Sequence, residues 1–190
     1  MKPTKPLPSE DFIELREIAL RLVERAKTHR KRYFLLELMK TLEKEPRIKL
    51  LRGFRGAGKT TALLQIFAEK QQKAMYFSMD NPLLKNYGLY QIGKTSIERG
   101  FDLLLIDEAH TYPNWRKEVK ALYDEFPKAR FVVSGSAPLV FVPERREVEI
   151  TADFLGLGEL VFLKTGKRIQ TKEEWKNIES ALSMFFHSSL

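Results

Sequence analysis

The sequence predicts an α/β fold in which a parallel sheet is covered by helices on both faces. Three observations predict it. Between residues 48 and 136, short apolar runs alternate regularly with helical patterns, the mark of strands joined by crossover helices. The run "FDLLLIDEAH" (101–110) places four consecutive apolar residues before an acid pair, as a strand buried on both faces does. The nonapeptide "GFRGAGKTT" (53–61) joins the end of one apolar run to the start of a helical pattern. At 190 residues, 43% hydrophobic and 31% charged, the chain is one ordinary domain, or one domain plus a fragment of another.

The elements follow in order. After an arm punctuated by Pro3, Pro6 and Pro8, Ser9 is placed to cap a helix whose apolar positions are Phe12, Leu15, Ala19, Leu22 and Val23. A second helical pattern runs from about Tyr33 to Glu43 and ends before Pro46. "IKLLRG" (48–53) reads as a buried strand, and the pattern from Lys59 to Gln71 as a helix with Leu63, Leu64, Ile66 and Phe67 facing the sheet. "AMYFSMD" (74–80) is a second strand, followed by a helix near 89–98 that stops at Gly100. Residues 101–110 form a third strand ending in two carboxylates. "NWRKEVKALYDEF" (114–126) puts Trp115, Val119, Leu122 and Phe126 on one helical face, and "ARFVVSGS" (129–136) is the next strand. "REVEI" (146–150) alternates as a fifth strand would, and "ELVFL" (159–163) is apolar. "TKEEWKNIESALSMFF" (171–186) reads as a capped amphipathic helix starting near Thr171, with Trp175, Phe185 and Phe186 as packing residues.

Composition excludes several classes of function. No apolar run reaches the eighteen or so residues of a membrane span, and the N-terminus has no apolar signal segment, so a cytosolic protein is expected. With no cysteine and three scattered histidines (29, 110, 187), neither disulfides nor thiolate metal sites are expected. The net charge of +8 is uneven, with 15 Lys/Arg against 8 Asp/Glu in residues 1–55. Its densest stretch is "RAKTHRKR" (25–32), for which a solvated face is the plainer reading and nucleic-acid contact the alternative.

Residues 53–60 match G-x-x-x-x-G-K-[ST] in full, between a strand and a helix as a phosphate-binding loop requires. The cradle is Gly53, Phe54, Arg55, Gly56, Ala57 and Gly58, whose backbone N–H groups turn toward phosphate oxygens at a helix N-terminus. Lys59, read as a loop-edge cation, carries charge to the β- and γ-phosphates. Thr60 offers a hydroxyl to Mg²⁺, and Thr61 lies nearer the α-phosphate. Asp107 is the expected Mg²⁺ carboxylate, acting through the ion's water shell, and Glu108 the base that orients and deprotonates the attacking water. Ser136 or Ser134 is placed to reach the γ-phosphate or that water. Arg55 is placed to reach either a phosphate or an acidic neighbour. The residues therefore predict a P-loop NTPase that hydrolyses its nucleotide. The rival readings are a small-molecule phosphotransferase and a nucleic-acid-binding switch with little hydrolysis.

From about His29 to Phe186 the chain resembles the AAA+-like ATPases of archaea and bacteria. The resemblance runs through "RKRYFLLEL", "GFRGAGKTT", "YFSMDNPLL", "LLLIDEAHTYPNWRKEVKALYDEFP", "FVVSGSAPLV" and "GELVFLKTGKRI". Its most specific part is the acid pair followed by Pro-Asn-Trp, with Gly-Ser after it. "DEAH" also looks like a helicase motif, but "SGS" stands where such enzymes carry Ser-Ala-Thr. The resemblance implies a five-stranded sheet of order 5-1-4-3-2, ATP with Mg²⁺, a lid after the core, and closure by an arginine from a neighbouring subunit in a homo-oligomer. Arg145 and Arg146 are the early candidates for that arginine. The expected division is an N-terminal helical segment (1–45), an ATPase core (46–151) and a truncated lid segment (152–190).

Overall fold

The first four strands form where β-branched, aromatic or leucine residues run together and alternate their side chains between two helical layers, whereas the fifth, at the edge, gives Ile150 and Ala152 to one layer only. The computed structural model describes residues 7–136, 144–153, 155–168, 171, 173–177 and 180. Five strands, β1 (Ile48–Gly53), β2 (Ala74–Ser78), β3 (Leu103–Asp107), β4 (Arg130–Ser136) and β5 (Glu147–Ala152), form one sheet of order β2-β3-β4-β1-β5. All pairings are parallel. Counted from its other edge the order is 5-1-4-3-2, as expected.

The period of two sorts the core into two layers. Leu51, Tyr76, Leu105, Val132 and Ile150 point to one face, against α2 (Tyr33–Lys44) and α3 (Lys59–Glu69). Leu50, Met75, Phe77, Leu104, Ile106, Phe131 and Val133 point to the other, against α4 (Leu89–Glu98) and α5 (Trp115–Glu125). The first helix, α1 (Ser9–Lys27), serves both layers. Its Phe12 and Leu15 join the second layer, and its Ala19, Val23 and Ala26 join the first. It thus lies along β2, an edge strand that would otherwise offer unpaired backbone groups. Arg16 secures it, Nη2 donating to the Gln71 carbonyl at 2.8 Å while the guanidinium lies 4.6 Å from the Phe101 ring centre.

Two expectations for α1 are corrected. Ser9 does not cap the helix: Pro8 occupies the cap position, and the Ser9 hydroxyl accepts a hydrogen bond from Arg99 at 2.8 Å instead. Leu22 is not core but 38% exposed, and Ala26, one turn on, takes the buried position. The stripe turns away from Leu22 because the helix passes from one layer to the other. The third strand is also shorter than expected, ending at Asp107 with Glu108 outside it.

Met1–Phe154 and Leu155–Leu190 are two compact units. In the second, α6 (Leu157–Thr165) is stopped by Gly166 at φ 78°, whose N–H returns to the Phe162 carbonyl at 2.7 Å. Thr171 and Glu174 form the expected cap reciprocally, each side chain bonding the other's backbone N–H, at 3.0 and 3.2 Å. Residues 173–177 are helical. Phe185 and Phe186 lie outside the described residues.

One buried cation gives a testable stability signature. The Lys49 side chain is fully buried, its ammonium donating to the carbonyls of Glu45 and Arg47, each at 2.8 Å. Burial pulls its pKa from 10.5 to about 8. Between those values the unfolded chain holds a proton that the folded chain has released, so stability from this group rises with pH from about 8 to 10.5. Below about pH 8 the cost of the buried charge, about 3 kcal/mol, is present in full. In denaturant unfolding, the wild type is expected to gain stability relative to Lys49→Met across that window. A gap that does not change with pH contradicts a buried charged lysine.

Candidate nucleotide site

The loop after β1 reverses direction by means of two glycines. Gly56 and Gly58 have φ of 82° and 86°, where a side chain would strain the backbone. Gly53, the first glycine of the motif, is required for another reason. A Cβ there would lie 2.4 Å from the Ala152 carbonyl oxygen, so it permits the close approach of β5, its partner in register. Phe54, Arg55 and Gly56 are exposed, whereas Ala57 is buried. Among the described residues Arg55 forms no ion pair. Helix α3 starts at Lys59, and the Ala62 N–H returns to the Gly58 carbonyl at 2.9 Å. Thr60 is exposed on its first turn and Thr61 half-buried.

Lys59 is not at the loop edge, as the sequence suggested, but inside the loop. It is 4% exposed, and its ammonium donates to the carbonyls of Gly53 at 2.8 Å and Phe54 at 2.9 Å. Burial lowers its pKa, while the charges of Glu108 and Asp107 pull it back up. The lysine therefore feels both carboxylates across the loop.

Asp107 ends β3 and is 1% exposed. One carboxylate oxygen accepts from the Tyr76 hydroxyl at 3.0 Å. The other accepts from the Glu108 N–H at 3.0 Å and from the Ser134 hydroxyl. A carboxylate has about four acceptor positions, so these bonds fix its orientation and leave room for one more partner. Burial and the Asp107 charge raise the Tyr76 pKa, which keeps its hydroxyl a donor. Ser134 thus steadies Asp107 rather than facing outward. The backbone of Ser136 pairs with Gly53 at the same sheet edge, and its side chain lies outside the described residues.

Glu108 is the one described non-glycine residue with positive φ, at 47°. A left-handed backbone is uncommon for such a residue and clusters at functional sites. Its carboxylate lies 3.2 Å from His110 Nδ1. Thr60, Asp107 and Glu108 line one cleft of about 490 Å³ with Asp80, Asn81 and Pro82 beyond β2 and Leu15, Ile18 and Leu22 of α1. Every charged residue named in that lining is acidic.

Sequence reasoning missed Tyr76, His110 and Arg32. Tyr76 had a signal, a polar tip inside an otherwise apolar strand. The basic run 25–32 is partly committed within the chain. Lys27 pairs with Glu24 and Lys31 with Glu69, while Arg32 bonds to the Ala57 carbonyl at 2.7 Å. Arg146 pairs with Asp124 at 2.8 Å just before β5, at the sheet edge opposite the loop. It does not reach the site of its own chain.

A hydroxyl and a carboxylate are hard oxygen ligands of the kind Mg²⁺ takes. No group of three or more His, Asp or Glu suited to a metal stands among the described residues. No helix among the described residues is long and apolar enough to cross a membrane.

The profile of the AAA domain family matches residues 45–149. No curated protein matches the sequence. Among solved structures, AMPPCP-bound DnaA from Aquifex aeolicus is 14% identical, with a TM-score of 0.43 over 77% of this chain and 57% of that one. The RuvB Holliday junction branch migration motor of Thermotoga maritima is 23% identical, with a TM-score of 0.45 over 83% of this chain and 49% of that one. C. elegans PCH-2 is 15% identical, with a TM-score of 0.35 over 77% and 44%. The chain spans about half the length of these proteins.

Proposed function

The chain belongs to the AAA domain family of P-loop ATPases, and from that premise we propose that it binds ATP with Mg²⁺ and hydrolyses the terminal anhydride bond. The observation that carries this reading is convergence. Thr60, Asp107 and Glu108 line one cleft, and Lys59 sits in the loop beside it under the influence of both carboxylates. Phosphate oxygens would replace the Gly53 and Phe54 carbonyls as acceptors for Lys59. Thr60, and Asp107 through water, would hold Mg²⁺, which would supply positive charge to the phosphates. Tyr76 and Ser134 hold Asp107 in place. Glu108 takes the proton of a water whose oxygen attacks the γ-phosphorus, and the bond to the leaving ADP oxygen breaks.

A second reading, phosphoryl transfer to a small acceptor, is favoured by the cleft, which has room beside the carboxylates. The two separate in one assay of ATP binding and phosphate release, with Mg²⁺ or EDTA and with or without DNA or RNA. We expect ATP to bind, and phosphate to be released below the usual enzyme median of ~10 s⁻¹ and only with Mg²⁺. ADP formed without free phosphate, once an acceptor is added, favours transfer. Absence of ATP binding at millimolar concentration overturns both readings.

A further inference from the structure

We propose that Arg32 is a positioning residue, which locks one peptide of the phosphate loop in the orientation that phosphate binding requires. The proposal rests on the nucleotide-binding reading above. Arg32 stands at the cap position of α2, its own carbonyl accepting from the Leu35 N–H at 3.1 Å. From there its guanidinium crosses to the loop. Nη1 donates to the Ala57 carbonyl at 2.7 Å, and Nη2 to the Asp153 carbonyl at 3.1 Å, one residue past β5. The guanidinium carbon lies 5.2 Å from the Phe34 ring centre. The stem of the side chain passes 3.6 Å from where a Cβ on Gly58 would stand.

The consequence follows from peptide geometry. A trans peptide carries its C=O and N–H on opposite sides of the chain. Holding the Ala57 carbonyl toward Arg32 therefore turns the Gly58 N–H to the far side. That N–H is one of the cradle's donors. Gly56 and Gly58 both have positive φ. The peptide before Ala57 is held within the loop, its N–H donating to the Phe54 carbonyl at 3.2 Å, whereas the Ala57 carbonyl, leading into Gly58, needs a donor from outside the loop.

Arg32 meets that need with two donors on a rigid fork, bridging the loop to the end of the strand beside β1. A lysine has one ammonium on a flexible stem and is a poorer match for two separated carbonyls. The two bonds are charge-assisted, and each such bond contributes enough to shift an equilibrium about tenfold or more. A free loop would have to adopt this peptide orientation at the moment of binding, so losing Arg32 lowers affinity without removing any ligand contact.

The test compares wild type, Arg32→Ala, Arg32→Lys and Arg30→Ala by titration with ADP and ATP in Mg²⁺, together with thermal melts. Arg30 is an exposed neighbour in the same basic run and serves as the charge control. We expect Arg32→Ala to bind ADP and ATP about tenfold more weakly and by the same factor, because the β-phosphate is common to both. KM for ATP should rise while kcat is retained. Arg32→Lys should fall between wild type and Arg32→Ala, Arg30→Ala should match wild type, and millimolar guanidinium ion should restore part of the lost affinity of Arg32→Ala. Wild-type affinity in Arg32→Ala overturns the proposal, as does a loss that neither the lysine variant nor guanidinium reduces. If Arg32→Ala does not fold, Arg32→Lys carries the test, and wild-type affinity in it is the overturning result. A wild-type chain that binds neither nucleotide refutes the ATP reading itself, which the wild-type titration reveals separately.

Discussion

Glu108→Gln is expected to bind ATP as the wild type does while turnover falls by on the order of 10²–10⁴. The substitution keeps the size and shape of the side chain, and a carboxamide can keep the contact with His110 Nδ1. It removes the ability to take a proton from water. The backbone at Glu108 is left-handed and is tied to Asp107 and Ser134 through its N–H. Its geometry is therefore set by the turn and not by the carboxylate, and the loop should be undisturbed. Binding by titration and turnover by phosphate release separate the two effects. Full turnover in Glu108→Gln places the base elsewhere, and His110→Ala is then the next variant to assay.

Lys59→Ala is expected to fold yet lose ATP affinity by roughly ten- to a hundredfold or more, since one charge-assisted bond contributes about 1.5–3 kcal/mol. The lysine makes its bonds inside the loop, to Gly53 and Phe54, at the first position of α3. Its removal opens the loop without emptying the core. Because Lys59 is buried, Lys59→Met is the companion variant, retaining the apolar stem while deleting the charge. Both should lose affinity with circular dichroism unchanged. Wild-type affinity in the methionine variant would falsify the assignment of Lys59 to the phosphates.

The two variants probe features that differ in how visible they were before folding. The loop and its lysine were legible because the whole phosphate motif lies within eight consecutive residues, bounded by a strand and a helix. The acid pair was legible because it ends a continuous apolar run. The state of Lys59 was not: its burial depends on a loop that closes over it. The reason for Gly53 was not legible either, since the atom that excludes a side chain belongs to Ala152, 99 residues later.

What the sequence determined by itself was the set of main elements from α1 to β5 and the place of the phosphate motif, because hydrophobic period, turn residues and short motifs are local properties of the chain; it showed α6 only as an apolar stretch. It placed β1 to the residue and α3 to within two. What only the tertiary structure decided was which polar groups meet. Tyr76 and Ser134 reach Asp107 across separations of 31 and 27 residues, and Arg32 reaches Ala57 across 25. These meetings depend on strand order and register, which place Ser78 opposite Asp107 and Ser136 opposite Gly53. A slip of one residue would turn every side chain of a strand to the other face. The residues proposed to act on phosphate were thus written in the local pattern, whereas those that hold them in position were set by how the strands align.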